Sequence, residues 1–284
     1  MTTAATGELA PQPARPPTPH DPIVDAIAAQ RRRDQTRFRV TVAVTWLVLV
    51  AIIVGGLFAA GKIDFDFLGE WAGYIVGGAG LTIVIAAASI ALAVVFALLG
   101  AMGRLSSNAI IYGLASFYVS LVRGTPLLVQ ILFIFLALPQ LWSGFADIPL
   151  ILLGVFALAF NYGAYMTEVF RAGIQAIPRG QLEAAAALGM PGRLRMRRIV
   201  LPQAIRIVTP AIGNEFIAMI KDSSLVSVVG VQELLWRAQR VGQSNFRSLE
   251  TLLVAATVYW ILTIVFSIIQ DRLEKRMAES DRRS

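Results

Sequence analysis

Six stretches of this chain, at residues 40–61, 71–103, 105–122, 124–146, 148–167 and 251–270, contain no charged residue. A helix needs about 20 apolar residues to cross the hydrocarbon of a bilayer, and these stretches are of that order or longer. A seventh, at 207–232, is largely apolar but is interrupted by Glu215, Lys221 and Asp222. Only 15% of residues are charged and 56% are hydrophobic, whereas soluble domains carry about 25% charged residues. Such a chain cannot wet the surface of a globular fold, so it reads as all-α and membrane-embedded. It has no Cys, and its one histidine, His20, lies in a Pro-rich tail. Disulfides, thiol chemistry and a metal site are therefore not expected. The net charge of +7 sits in Arg residues beside apolar runs, which points to a membrane and not to nucleic acid.

Those Arg residues also set orientation, because Lys and Arg concentrate on the cytoplasmic side. Arg31, Arg32, Arg33, Arg37 and Arg39 put the N-terminus inside, and the acidic loop of Asp64, Asp66 and Glu70 reads as outside. Arg104 follows inside. Between Arg171 and Arg206 there are seven Arg residues and one acid, Glu183, so this stretch is inside too, as is the Arg-rich C-terminus. If 105–122 and 124–146 were separate crossings, the seven-Arg stretch would face outward. They are therefore expected to form one crossing from about residue 108 to 138, broken near Arg123-Gly124-Thr125-Pro126. With both termini inside, parity makes the region after Ile207 the fifth of six crossings. Residues 1–39, with the Pro-rich run at 11–19, read as a disordered cytoplasmic tail, 40–61 as a separate first helix, and 276–284 as a short cytoplasmic tail.

The stretch IPRGQLEAAAALG at 177–189, followed by MPGRLRMRRIVLP at 190–202, is the most informative. Residues 181–188 are strong helix formers. Gly189 suits the positive φ of a helix C-terminus, and Pro191 prevents continuation. Residues 193–201 read as a second short helix ended by Pro202. The product is a cytoplasmic helix–turn–helix elbow, small and apolar on one side and basic on the other. On charge alone it is equally an amphipathic elbow lying on anionic headgroups.

The ordered set Glu183-Ala184-Ala185, Gly189, Ile199 and Leu201-Pro202 resembles the EAA loop of binding-protein-dependent ABC transporter permeases. The similarity spans about residues 75–275. It includes GLTI at 80–83, LVRGTPLLVQ at 121–130, AYMTEVFRAGI at 164–174, LPQAIR at 201–206, GNEFI at 213–217 and KDSSL at 221–225, all similar to the polar amino acid branch. Ala186 stands where many members have Arg or Lys, Ser223 stands where Thr is usual, and the first helix is an addition to the five-helix core. The resemblance implies a bacterial inner-membrane importer subunit that pairs with a second permease copy or paralogue. It further implies two ABC ATPase subunits, an extracytoplasmic solute-binding protein and a polar amino acid as cargo. Glu183, Ala184, Ala185, Gly189, Leu201 and Pro202 would then engage the ATPase. The chain has no GxxxxGK[ST] phosphate loop, so it is expected to bind no cofactor, the ATP being used by the partner, and not to be an enzyme.

Ionisable groups inside a bundle usually face a cavity or a partner. Asn161 and Glu168, seven apart on one helix face, are candidates for the amino end or a basic side chain of a solute. Arg123 or Lys221 would then offset its carboxylate, with Asp222 beside Lys221. Mutual pairing of Arg123, Lys221, Asp222 and Glu215 that fixes helix packing fits as well, and Arg171 at i+3 could simply pair with Glu168. Gly73 and Gly77 form a GxxxG pair that reads as helix packing. Residues 231–249, with Trp236, Arg237, Arg240 and Arg247, read as lying outside the membrane. Two other classes are weaker: an ion-coupled carrier would show a repeat with two broken helices, and an intramembrane protease would need more than Asp222.

Overall fold

The computed structural model describes residues 22–59 and 63–281, which belong to two units, 1–63 and 64–284. Every regular element among the described residues is helical. The first unit is helix α1 (Pro22–Ala59), of which Ala29–Leu57 is long and apolar enough to cross a membrane. Residues 22–39 were expected to be disordered and are instead helical. The proline run ends before them, and the sequence AIAAQRRR at 26–33 consists largely of good helix formers. The Pro-rich run itself lies outside the described residues.

The second unit begins with α2 (Phe65–Val76) and α3 (Gly78–Arg104), which form one apolar run. Helix α4 (Ala109–Arg123) follows, then α5 (Leu127–Leu132), a π turn (Phe133–Ala137) and α6 (Leu138–Leu141). These halves meet at 107° around Gly124 and Pro126, so the expected break is a sharp turn. After α7 (Leu150–Gln175) come α8 (Arg179–Ala187), α9 (Gly192–Arg195) and a second π turn (Met196–Val200). Helix α10 (Leu201–Asp222) leads through a 3₁₀ segment (Ser223–Val229) to α11 (Leu234–Asn245) and α12 (Ser248–Asp281). The six crossings are α1, α2–α3, the bent α4–α6, α7, α10 and α12. Charges make α10 the least apolar of them, and it is held among α3, α7 and α12.

Small residues set the core. Ala86, Ala93, Ala97 and Ala101 of α3 are fully buried with Ala159, Tyr162 and Met166 of α7. Gly100 faces Thr167, and Gly163 faces Phe96, so the two backbones approach closely. Ile110, Leu114 and Phe117 on the outward face of α4 are largely exposed. In water that face would aggregate, and in a bilayer it meets acyl chains.

At the end of the bundle away from the α8–α9 turn, short polar links lace the helices together. Asp64 caps α2 by accepting from the Phe67 amide at 3.1 Å and pairs with Arg247 at 2.9 Å. The Phe67 amide, with the Arg247 guanidinium beside it, holds the Asp64 carboxyl below the usual carboxylate range. Glu233, fully buried, caps α11 by accepting from the Trp236 amide and also accepts from the hydroxyls of Thr82 on α3 and Tyr259 on α12. Arg237 lies over the Tyr74 ring at 5.1 Å. The expected GxxxG contact is displaced: Gly73 has open space around it, whereas Gly78 sits against the Leu234 backbone of α11. A Cβ at Gly78 would lie 2.7 Å from the Leu234 Cα. Gly78→Ala should therefore cost roughly 1–3 kcal/mol through overpacking, and Gly73→Ala less than about 0.5 kcal/mol. Thermal melting of the purified protein in detergent tests this: a lowered midpoint is expected for the first variant alone.

Candidate functional site: an exposed elbow and a polar cavity joined by one helix

The elbow is built as its residues dictate. Helix α8 ends where Gly189 turns to φ +74°, a conformation that costs other residues roughly 1–2 kcal/mol. The Gly189 amide donates to the Ala186 carbonyl at 2.9 Å and the Met190 amide to the Ala185 carbonyl at 3.0 Å. That is the Schellman pairing, which satisfies the last carbonyls of a helix. Pro191 then starts α9. Ala185 is buried, whereas Glu183, Ala184, Ala186 and Gly189 are exposed, and Leu188 is 82% exposed. The elbow is closed internally by Arg195, whose Nη1 donates to the Leu182 carbonyl at 3.4 Å, and by Gln203, whose amide donates to Gln181 at 2.7 Å.

The second arm departs from the expectation. It does not stop at Pro202: α9 passes through the π turn directly into α10, with Pro202 in the first turn of that helix. Pro202 has no N–H to give to a helix that runs on from α9, and the π turn shifts the ladder around it. Leu201 and Pro202, both exposed, thus belong to a crossing.

Further along α10, Glu215 and Asp222 are seven residues apart and face a cavity of about 280 Å³. Asn161, Tyr162 and Tyr165 of α7 and Thr125 and Pro126 of the α4–α5 break complete its walls. The Tyr162 hydroxyl donates to Asp222 at 2.7 Å. Asn161 donates to Gln130 at 3.1 Å, and the Gln130 amide nitrogen donates to the carbonyls of Val122 and Thr125 at 2.8 and 3.1 Å. Gln130 thereby pairs the backbone groups that the break frees. Neither Glu215 nor Asp222 has an ion-pair partner among the described residues.

Of the five residues expected along a solute path, the structure brings Asn161 and Asp222 together in this cavity. Arg123 does not line it, but its guanidinium lies 5.3 Å from the ring of Tyr165, which does. Lys221 is exposed and outside it. Glu168 is outside it too, held between Arg104 at 3.1 Å and Arg171 at 2.6 Å, which is the packing alternative. The seven-residue spacing from Asn161 to Glu168 put them on one face, but that face runs past the cavity to the Arg104 side of the bundle. Glu215 was expected only to pair with Arg123, Lys221 or Asp222 in helix packing; it faces the cavity, and its seven-residue spacing from Asp222 was the available signal.

The fold and these two features define the translocation subunit of a transporter, a multi-pass membrane protein. Residues 89–279 match the family described as binding-protein-dependent transport system inner membrane component, and the chain belongs to it. The arginine transport system permease protein ArtQ of Bacillus subtilis is 34% identical over 220 residues, covering 78% of this chain and 100% of that one. A putative glutamine transport system permease protein of Rickettsia typhi is 39% identical over 204 residues, covering 72% and 93%. A crystal structure of an amino acid ABC transporter with histidines is 38% identical, covers 76% and 99%, and superposes with a TM-score of 0.70.

Gly189 has open space around it, so only its φ restricts substitution. Amide exchange at residues 189 and 190 should accelerate roughly tenfold in Gly189→Val, from the left-handed strain. Asn tolerates that conformation, so Gly189→Asn should stay close to the parent.

Proposed function

We propose that this chain is the transmembrane permease subunit of an ATP-driven importer for polar amino acids, with cationic amino acids as its preferred cargo. The observation that carries the reading is that α10 joins the exposed elbow at one end to the Glu215–Asp222 cavity at the other. A push on the elbow therefore acts on a helix that lines the cavity. The elbow, through Glu183, Ala184, Ala185 and Gly189, docks on an ABC ATPase that binds and hydrolyses ATP. Two ATPases and a second permease copy or paralogue complete the membrane complex. An extracytoplasmic binding protein delivers the solute. Both termini and the elbow lie in the cytoplasm, on the side marked by Arg.

The cargo class follows from charge. Two carboxylates without ion-pair partners among the described residues, against one guanidinium over the Tyr165 ring, give the cavity a net negative charge. A solute with one carboxylate and two cationic groups matches it: the carboxylate toward Arg123, the cations toward Glu215 and Asp222. The amides of Asn161 and Gln130 add orientation. One relative is named for arginine and another for glutamine, and the charge count favours the former type. A proton-coupled carrier fits less well, because among the described residues a single helix pair is sharply broken.

The test is uptake of radiolabelled L-arginine by vesicles containing the complex. Uptake should require ATP on the elbow side and persist when the proton gradient is collapsed. Loss on collapse, with no response to ATP, would overturn the proposal. Hydrogen bonds to charged groups are worth about 1.5–3 kcal/mol, so Glu215→Gln with Asp222→Asn should lower arginine uptake about tenfold or more. Gly189→Val should lower solute moved per ATP while the ATPase still co-purifies. Normal uptake in that variant would remove the elbow from the mechanism.

A further inference from the structure

Helix α10 has a flaw at its middle. Pro210 has no N–H to donate to the turn before it, and an interior proline makes a helix bend there. The flaw lies between the elbow, which enters at Leu201, and the cavity acids at Glu215 and Asp222. A force delivered to the elbow must cross this joint.

The joint is occupied from the side by α12. Gln270, only 8% exposed, donates from Nε2 to the Pro210 carbonyl at 3.2 Å. The same nitrogen donates to Glu274 at 2.8 Å, which orients the amide. The other end of the amide fills the notch left by Gly213, where any Cβ would overlap it. One turn further, Phe216 of α10 meets Phe266 of α12 edge to face at 5.1 Å. On the elbow side of Pro210, Val208 fills the space that Gly173 of α7 leaves open. Helix α7 therefore holds α10 on both sides of the flaw, through Gly173 against Val208 and Tyr162 on Asp222, and Gln270 of α12 sits at the flaw itself.

We infer that Gln270 is a positioning residue for transport: its amide, seated on Pro210 and Gly213, locks the α10 joint so that elbow displacement reaches the cavity. Without the seat the joint yields, the elbow moves, and the cavity carboxylates lag behind. This rests on the elbow being the ATPase grip. It touches neither solute nor nucleotide.

The two sides of the seat can be removed separately. Gln270→Ala deletes the amide. Gly213→Ala adds a methyl that evicts it, and because the amide is the far end of a flexible side chain the fold is expected to survive. Each variant, co-purified with its ATPase and reconstituted in vesicles, is assayed for radiolabelled L-arginine moved per ATP hydrolysed, beside Gly189→Val. A neutral hydrogen bond of this kind corresponds to roughly a three- to tenfold change. Each single variant should lower the ratio by about that factor with ATP hydrolysis retained, and the double variant should be no worse than either. Fold damage alone would lower melting temperature, ATP hydrolysis and uptake together at a constant ratio, and would overturn the inference. So would independent effects that multiply in the double variant. If Gly189→Val lowers the ratio and neither seat variant does, the elbow stands and the seat falls. If Gly189→Val leaves it unchanged, both fall.

Discussion

A backbone carbonyl or N–H left unpaired in hydrocarbon costs several kcal/mol, and this penalty governs the bundle wherever its helices lose regularity. Three of these places are the break at Gly124–Pro126, the π turn before Pro202, and the interior Pro210. At each, a glutamine amide donates to a backbone carbonyl. Gln130 serves Val122 and Thr125, Gln203 serves Ile199 at 2.9 Å, and Gln270 serves Pro210. A Gln side chain suits the task because it carries two donors and an acceptor without a charge. The irregular points are also the points from which the elbow and the cavity are built, so the polar side chains of this bundle serve its backbone first.

The same economy sorts the carboxylates. Glu168 is held by two arginines and Glu233 by two hydroxyls and a backbone amide. Both are spent on holding helices together, Glu168 on α3 against α7 and Glu233 on α11 against α3 and α12. Glu215 and Asp222 are treated differently: one tyrosine hydroxyl reaches Asp222, and no cation reaches either among the described residues. Keeping two acids inside a membrane bundle without counter-ions is costly. The cost is lowered by the cavity they share, where water or a cationic group can approach.

Much of the architecture was legible because hydrocarbon thickness and positive-inside charge are strong, one-dimensional constraints. Segment lengths, Arg placement and parity located the six crossings and the break at Arg123–Pro126. The turn at Gly189 was legible for a local reason, since helix formers, glycine and proline come in the order a Schellman end requires. Three-dimensional partnerships were not. Arg171 at i+3 already offered Glu168 a partner in the sequence, but only the fold brings Arg104 to Glu168 and Tyr162 to Asp222. Gly73 belongs to a recognisable motif yet faces open space, while Gly78, outside that motif, takes the close contact with Leu234. The glutamines were the neglected signal: Gln130, Gln203 and Gln270 each donate to a backbone carbonyl beside an irregular point of a helix.

Pro202 was expected to end the second arm of the elbow, and its actual place changes how the elbow works. Had the chain stopped and restarted there, the elbow would hang from flexible linkers at both ends, and its displacement would dissipate in them. The π turn absorbs the missing hydrogen bond and lets the helix run on, so the elbow is a lateral extension of α10. At the other end of the elbow, Ile177 is buried, and Gln203 reaches back from α10 to Gln181 at the start of α8. The elbow is thus a closed triangle, and a closed triangle can translate or tilt but cannot fold up. Motion imposed on it passes along α10 toward the point where Gln270 donates to Pro210. Helix α12, which supplies that amide, begins at the far end of the bundle where Tyr259 meets Glu233 and where Arg247, just ahead of it, meets Asp64. The joint is therefore braced by a helix whose other end is anchored in the lacing around α11, and a stroke that loads the joint also loads that lacing.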